Sequence, residues 1–346
     1  MCELLGFSFN QPISPNISFK GFRRRGKSNP DGWGIAYYPD ESVQIIKEPL
    51  QSMDSQLGKY VENNDIVYSK VIISHVRRVS VGGKKYKNTH PFSRELKGED
   101  YTLAHNGTLR SYKQNLTLRK YQPIGETDSE YAFCYLLNQI SERNIISWTN
   151  DDYSWLLSEL QKINQYGDFN CILSNGKLLF CYRDNSGYNG LCYVKREAPF
   201  NEIHLIDKDY SIDLRLEKNP EQRGYIIATR ALTSGENWIN FEPGELKVFN
   251  DGQLIFPVVT HFNTILELTK EDVLILKIIR ESEHKLKISM IIEETNLSKN
   301  MVINSIRKLK EKLYIKQDSR DVVQWNDLDA SYYTIKRKRT EIDNLI

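Results

Sequence analysis

The chain has 346 residues, of which 40% are hydrophobic and 27% are charged, a composition typical of a folded protein rather than a disordered one. Its 47 lysine and arginine residues nearly balance its 45 aspartate and glutamate residues, which excludes a polycation that binds nucleic acid over its whole surface. The chain does not open with a basic segment followed by a long apolar run, and later apolar stretches are short. We therefore expect neither a signal peptide nor a membrane span.

Short apolar runs rich in Val, Ile, Tyr and Phe dominate the first 258 residues and predict strands. The clearest runs lie at residues 3–9, 66–73, 101–104, 170–173, 178–182 and 225–229. A helix is predicted from Thr127 onward, because five apolar residues between positions 132 and 140 recur at helical spacing. The mixture predicts an α+β domain.

After Pro257 the pattern becomes helical, which indicates a domain boundary at about residues 258–268. Three helices are expected at residues 269–282, 288–294 and 298–313, followed by two strands at 314–317 and 322–325. The basic residues of the third helix are Lys299, Arg307, Lys308, Lys310 and Lys312. They suit contacts to DNA phosphates, although a solvated helix face is the alternative interpretation.

Five cysteines are spread along the chain without any C-x-x-C pair, at positions 2, 134, 171, 181 and 192. An odd number without close pairs is typical of a reducing compartment rather than of a disulfide framework. The sequence therefore favours a cytoplasmic protein. It suggests no zinc site, and we expect neither a metal nor a cofactor.

Cys2 becomes the first residue if Met1 is removed. Its thiol would then lie beside a free α-amine on the same carbon, and the two groups have similar pKa values in water. The amine could accept the thiol proton and later return it to a leaving ammonia. Cys2 is thus a candidate nucleophile, and the alternative is a small buried side chain at the start of a strand.

Asn106 and Gly107 follow shortly after the strand predicted at residues 101–104. An amide side chain beside an exposed backbone N–H supplies the two donors that an oxyanion needs. A hairpin turn is the alternative interpretation.

Two charged residues are candidates for substrate binding. Alternation along the strand at residues 66–73 points Arg77 to the same side as His75, where its guanidinium could hold a carboxylate or form a surface ion pair. Thr127 or Asp128 opens the next helix, where either could be an N-cap, while Asp128 could also bind a substrate ammonium.

In this order, these residues resemble the motifs of the class-II glutamine amidotransferases, which are N-terminal-nucleophile hydrolases. The resemblance is carried by MCELLG (1–6), NPDGWGI (29–35), HVR (75–77), NTHPF (88–92), AHNG (104–107), GETDSE (125–130), IIATR (226–230) and EPGE (242–245). It implies a four-layer αββα sandwich over residues 1–258. The site residues implied are Cys2, Asn106 and Gly107 for catalysis, and Arg77, Asp128 and His90 for substrate binding.

The reaction implied is attack of the Cys2 thiolate on the side-chain amide of glutamine, giving a γ-glutamyl thioester and ammonia, followed by hydrolysis. Where many multidomain relatives carry Arg-Trp-x-Thr-His-Gly, this chain has RRVSVG at residues 77–82. This difference favours the compact, stand-alone branch of the family, some of whose members cleave γ-glutamyl compounds such as glutathione. The basic loop at residues 23–27 is interpreted as solvated, with contact to an anionic substrate or a partner as the alternative.

The C-terminal elements resemble a winged helix-turn-helix over residues 268–328 and leave residues 329–346 as a basic tail. Such a module could bind DNA or a protein, or join two copies of the chain as a homodimer. Two functions follow. The first is an enzyme that hydrolyses glutamine or a related γ-glutamyl compound. The second is a regulator that senses a γ-glutamyl ligand and acts on DNA. We favour the enzyme.

Overall fold

The computed structural model describes residues 2–257, 268–282, 286–311, 314–317 and 331–334. Two compact units divide the chain, Met1–Val258 and Val259–Ile346. The first unit mixes strands and helices, as the apolar patterns predicted. Its strands and helices are numbered below in chain order.

A seven-stranded sheet has the beginning of the chain near its centre. In spatial order its strands are β14 (Ile239–Asn240), β9 (Cys192–Arg196), β12 (Gly224–Ala228), β1 (Glu3–Ile13), β4 (Ser69–Arg77), β2 (Gly32–Tyr37) and β3 (Gln44–Glu48). β1 runs antiparallel to both neighbours, so that Leu5 lies opposite Ala228 on one side and Ser74 on the other. The first seven residues of β1 are buried, which explains why they read as an apolar run without alternation.

A six-stranded sheet forms the second large layer of strands. In spatial order it contains β16 (Gln253–Phe256), β15 (Leu246–Asn250), β8 (Leu178–Tyr182), β7 (Gly167–Ser174), β6 (Glu99–Leu109) and β5 (Phe92–Leu96). A small third sheet contains β11 (Ser211–Asp213), β10 (Glu202–Leu205) and β13 (Thr233–Ser234). The predicted strand at residues 178–182 is confirmed with the same bounds.

The turn considered at Asn106-Gly107 is not formed, because β6 continues through both residues to Leu109. β7 pairs with β6 along this stretch, with Asn170 opposite Asn106 and Phe169 opposite Gly107. A Cβ atom at position 107 would lie 1.8 Å from the carbonyl oxygen of Asp168. Glycine is therefore required by the close approach of two backbones rather than by a turn.

Helices cover the outer faces of the two large sheets. α1 (Asn16–Phe22) and α2 (Gln56–Asn63) share a core with the first sheet, and α3 (Asp128–Arg143) and α4 (Asn150–Asn164) share one with the second. A separate core between the sheets includes Leu4, Ile73, Ala104, Ile172 and Phe249. α5 (Leu214–Glu217) lies against the small sheet. Thr127 is the N-cap of α3, since its hydroxyl accepts a hydrogen bond from the backbone N–H of Glu130 at 3.1 Å.

The basic loop is solvated only in part, because Lys27 is exposed whereas Arg23 and Arg25 are buried, contrary to the interpretation of the sequence. Residues 23–27 form a 3-10 helix in which Arg23 and Arg25 are only 5% and 3% exposed. Arg23 pairs with Glu62 and Arg25 pairs with Glu3, each at 2.7 Å. These arginines are buried because acidic residues from other elements lie opposite them, so they bind parts of the fold rather than an anionic ligand.

The second unit contains three helices and three short strands within its described residues. They are α6 (Lys270–Glu281), β17 (Leu286–Lys287), α7 (Ile288–Thr295), α8 (Lys299–Glu311), β18 (Ile315–Gln317) and β19 (Ser331–Thr334). β19 pairs antiparallel with both β17 and β18. The strand predicted at residues 322–325 lies outside the described residues, and β19 lies beyond the boundary expected at residue 328.

Glu62→Ala should lower the free energy of unfolding by about 3 kcal/mol, because it leaves the buried guanidinium of Arg23 without its counter-charge. The matched control is Glu142→Ala, since Glu142 pairs with Arg119 at the surface and its loss should cost at most about 1 kcal/mol. Urea denaturation followed by tryptophan fluorescence measures both. Equal effects of the two substitutions would contradict a stabilising role for the buried pair.

Candidate active site

Cys2 lies directly before β1 and beside the end of β4, because the register places Glu3 opposite Val76. Its sulfur accepts a hydrogen bond from the backbone N–H of Arg78 at 3.2 Å and lies 3.3 Å from the carbonyl oxygen of the same residue. Cys2 as a residue is partly exposed, whereas the other four cysteines are buried. Among the cysteines, Cys2 is therefore the best placed to meet a small molecule.

Opposing influences act on the thiol of Cys2. Burial raises its pKa and is the largest influence, while the backbone N–H of Arg78 and the charge of Arg77 lower it and Asp128 raises it. The net shift is upward, so the thiol stays protonated near neutral pH unless a base takes its proton. A nucleophilic Cys2 consequently needs a proton acceptor close by.

The two residues after Cys2 are tied to other parts of the first unit. The carboxylate of Glu3 pairs with Arg25 at 2.7 Å and with Arg230 at 2.9 Å. The backbone N–H of Leu4 donates to the hydroxyl of Thr229 at 2.8 Å, and the Thr229 N–H donates back to the Leu4 carbonyl at 3.2 Å. These contacts fix the direction in which the chain enters the sheet.

Asn106 presents a buried donor that the protein itself does not use. The residue is 1% exposed, and its Nδ2 has no hydrogen-bond partner among the residues that the structure describes. Leaving a buried donor unpaired costs about 1–3 kcal/mol, so such a group in a folded protein requires an explanation. An acceptor atom of a bound substrate would satisfy it. The N–H of Gly107, the next residue on β6, is the second predicted donor.

A short path of contacts connects Asn106 to Cys2. Asn170 lies opposite Asn106 on β7, and its side-chain amide donates to the carbonyl of Tyr188 at 2.8 Å. The next residue, Asn189, donates from its side chain to the carbonyl of Cys2 at 3.0 Å. The unused donor and the accessible thiol therefore belong to the same end of the fold.

Arg77 and Asp128 place opposite charges around the thiol, whose pKa responds to both. They are 3% and 2% exposed. Arg77 ends β4 and donates to the carbonyls of residues 81–83 at 3.0 to 3.3 Å, contacts that an incoming carboxylate would share or replace. Asp128 opens α3 and accepts a hydrogen bond from the N–H of Leu109 at 2.7 Å. A free amino acid carries a carboxylate and an ammonium, which match these two charges.

His90 lies against His75, with ring centroids 4.2 Å apart and ring planes tilted by 39°. The two residues are 3% and 0% exposed, and within the described part of the chain none of their ring nitrogens has a hydrogen-bond partner. Burial, assisted by the charges of Arg77 and His105, lowers the pKa of His75 to about 3, and burial also holds the pKa of His90 well below its usual value. Among the contacts of the described residues, none joins His90 to Cys2. Its role in substrate binding stays a prediction.

The loop at residues 184–190, which carries both Tyr188 and Asn189, was not predicted to be part of the site. Three of its residues, Gly187, Asn189 and Gly190, have φ values of 78°, 53° and 71°. The cluster of Asn, Ser and Gly in this segment is a recognisable turn signal. What the sequence could not indicate is that the turn reaches Cys2.

Four of the five residues predicted to contact DNA lie on α8 of the second unit, and the fifth, Lys312, lies outside the described residues. Lys299 is exposed at the first position of this helix, and Arg307, Lys308 and Lys310 follow within its bounds. Binding of DNA by these residues stays a prediction.

Neither a membrane span nor a metal cluster is found in the part of the chain that the structure describes. Its helices lack the combination of length and apolar character needed to cross a membrane. Its His, Cys, Asp and Glu side chains form no group of three or more that could hold a metal ion.

The family of this chain follows from its similarity to known proteins. Residues 1–271 match the class-II glutamine amidotransferases. The Escherichia coli protein YafJ is 36% identical over 260 residues, covering 74% of this chain and 100% of YafJ. A crystal structure of a Pseudomonas aeruginosa protein, described as a predicted glutamine amidotransferase, superposes with a TM-score of 0.54 and 30% identity, covering 73% of this chain and 99% of that one. The chain belongs to the class-II glutamine amidotransferases.

The second unit is not shared by all relatives. An uncharacterized protein of Methanocaldococcus jannaschii is 45% identical over 350 residues and covers 99% of this chain, with 96% of its own length matched. The matches to the Escherichia coli and Pseudomonas aeruginosa proteins leave about a quarter of this chain unmatched, although those proteins are covered almost completely. This protein therefore combines a family domain with an additional C-terminal unit.

The buried histidines should make stability depend on pH. A histidine with a lower pKa in the folded than in the unfolded chain takes up its proton only on unfolding, so His75 destabilises the fold as the pH falls from 6.5 towards about 3. The loss should be about 1.4 kcal/mol per pH unit for each such histidine. Urea denaturation at about pH 7 and about pH 5 measures it.

His75→Phe should make this loss shallower, because it removes one titrating ring and keeps an aromatic side chain against His90. The same substitution at the exposed His204 is the control and should keep the slope of the unmodified protein. An unchanged slope in His75→Phe would show that this ring does not govern the pH dependence.

Proposed function

We propose that this protein hydrolyses the side-chain amide of glutamine, or of a related γ-glutamyl compound, through a thioester on Cys2. The observation that carries the proposal is the buried, unpaired Nδ2 of Asn106 at the same end of the fold as an accessible thiol. Membership of the amidotransferase family supports it. The proposal requires removal of Met1, so that Cys2 carries a free amine.

The substrate would be held by both of its charged groups. The guanidinium of Arg77 would bind the α-carboxylate, and the carboxylate of Asp128 would bind the α-ammonium. Because both residues are almost fully buried, their interaction with a bound zwitterion is weakly screened by solvent. With the amino acid end fixed, the γ-amide extends towards the thiol.

The reaction would proceed in two steps. The α-amine of Cys2 takes the thiol proton, and the thiolate attacks the amide carbon to form a tetrahedral intermediate. Its oxyanion receives hydrogen bonds from Asn106 Nδ2 and the Gly107 N–H. The amine then gives its proton to the leaving nitrogen, ammonia departs, and a γ-glutamyl thioester remains. Water attacks the thioester, releasing glutamate and restoring the thiol.

We propose a winged helix-turn-helix arrangement for the second unit. Its described elements follow in the order helix, strand, helix, helix, strand, strand, and the last strand pairs with both others. In winged helices of this kind the third helix is the one that enters the DNA major groove. Recruitment of DNA, of a protein partner or of a second copy remains a prediction for this unit.

Cys2→Ala should abolish glutamate release, because no other cysteine is accessible to a substrate. Ser80→Ala, on the exposed segment after Arg78, is the control and should keep full activity. Glutamate formation from glutamine is the assay, and intact mass before and after treatment with a glutamine-mimicking electrophile reports both the first residue and the labelled thiol. Undiminished hydrolysis by Cys2→Ala, or a retained Met1, would contradict the mechanism.

Asn106→Ala should lower kcat by about 100- to 1000-fold with a smaller effect on KM, because Nδ2 is needed mainly when charge develops on the amide oxygen. The control is Asn115→Ala, which removes the same amide at an exposed position. Steady-state kinetics with glutamine distinguishes the two. A rise in KM alone would mean that Asn106 binds the ground state rather than the oxyanion.

A further inference from the structure

The loop at residues 184–190 is built around one buried carboxylate. Asp184 is 1% exposed, and its Oδ1 accepts hydrogen bonds from the backbone N–H groups of Ser186 at 2.8 Å and Tyr188 at 3.2 Å. Its Oδ2 accepts from the N–H of Phe169 at 2.8 Å and from the side chain of Asn164 at 2.7 Å. The loop is therefore fixed to β7 and α4 rather than free to move.

Asn189 is the point at which this loop meets the beginning of the chain. Its backbone has φ of 53°, a left-handed conformation that asparagine tolerates better than most residues. In this conformation its side-chain amide donates to the carbonyl of Cys2 at 3.0 Å across 187 residues of sequence. The preceding residue, Tyr188, is near enough for the charge of Cys2 to affect its hydroxyl, although burial is the main reason that its pKa is raised.

We propose that Asn189 is a positioning residue for the nucleophile: by holding the Cys2 carbonyl it fixes the peptide plane between Cys2 and Glu3, and so the position of the Cys2 Cα from which the thiol and the amine project. This inference rests on the proposed function. The tethers on Glu3 and Leu4 fix the strand from the following residue onward, but the peptide plane between Cys2 and Glu3 can still rotate about the N–Cα bond of Glu3. A hydrogen bond on the Cys2 carbonyl removes this freedom.

The consequence for catalysis is geometric. Once Met1 is absent, no preceding peptide bond restrains Cys2, and its amine must lie where it can take the proton from its own thiol. The thiol must also point towards the amide carbon held near Asn106. Misplacing a reacting group by about 1 Å can cost about 100-fold in rate. Asn189 touches neither the substrate nor the transferred proton in this scheme.

The test uses the full chain with two substitutions that suit a left-handed backbone. Asn189→Gly removes the side chain and accepts positive φ without strain, and Asn189→Asp keeps the shape but replaces the donor with an acceptor. The matched control is Asn144→Gly, which changes another left-handed asparagine, with φ of 58°, at the end of α3. Three measurements are made on each: the melting temperature, kcat and KM with glutamine, and the pH dependence of Cys2 alkylation by iodoacetamide, read by mass spectrometry.

We expect both Asn189 variants to lose about 10- to 100-fold in kcat with little change in KM and an unchanged melting temperature. The alkylation profiles of both variants should move to higher pH, because the amine is no longer held beside the thiol. The profile of Asn189→Asp should move further than that of Asn189→Gly, because a nearby carboxylate disfavours the thiolate. The control should match the unmodified protein in all three measurements. If Asn189→Gly unfolds, Asn189→Asp decides the question.

Asn189 variants with the kcat and the alkylation profile of the unmodified protein would overturn the inference while leaving the hydrolase proposal intact. The same holds if both variants lose activity only in proportion to a lowered melting temperature, since that indicates a purely structural contact. If the unmodified protein releases no glutamate but the alkylation profile still shifts in the variants, the hydrolase proposal fails and the positioning role of Asn189 stands.

Discussion

The candidate site depends on one constraint: the strand that directly follows Cys2 lies inside a sheet, not at its edge. β1 pairs with β12 on one side and with β4 on the other, so the residues after Cys2 cannot fray as chain ends usually do. Glu3 and Leu4 are tied to Arg25, Arg230 and Thr229 by ion pairs and hydrogen bonds. The strand that begins directly after Cys2 is thereby held by a neighbouring strand on each side and by side-chain contacts at its first two residues.

Under the proposed function, the charges around this site would be compensated when a substrate is bound. Arg77 and Asp128 are buried with opposite signs, and the donor of Asn106 has no acceptor. Buried groups of this kind destabilise a protein unless they are paired, and a zwitterionic ligand with an amide offers a partner to each. The neighbouring histidines avoid an unpaired buried charge in a different way, because burial lowers the pKa values of His75 and His90 and keeps both rings neutral.

The C-terminal unit separates this chain from its shorter relatives. A Methanocaldococcus jannaschii protein matches almost the whole chain, whereas the Escherichia coli and Pseudomonas aeruginosa proteins match about three quarters of it. Its described strands form a small antiparallel sheet with β19 in the middle, and its helices share one apolar core. The unit therefore has a hydrophobic core of its own, as independent domains do.

Local sequence determined the parts of this protein that depend on nearby residues. The apolar runs indicated the strands, Thr127 indicated the start of α3, and the order of short motifs indicated the family, because periodicity and capping act over a few residues. Only the tertiary structure decided what depends on distant partners. Gly107 lies in a strand because β7 pairs with it, Arg25 is buried because Glu3 and Asp207 meet it, and Asn189 reaches Cys2 from 187 residues away. Burial and hydrogen bonding across such separations arise from packing, which no local pattern encodes.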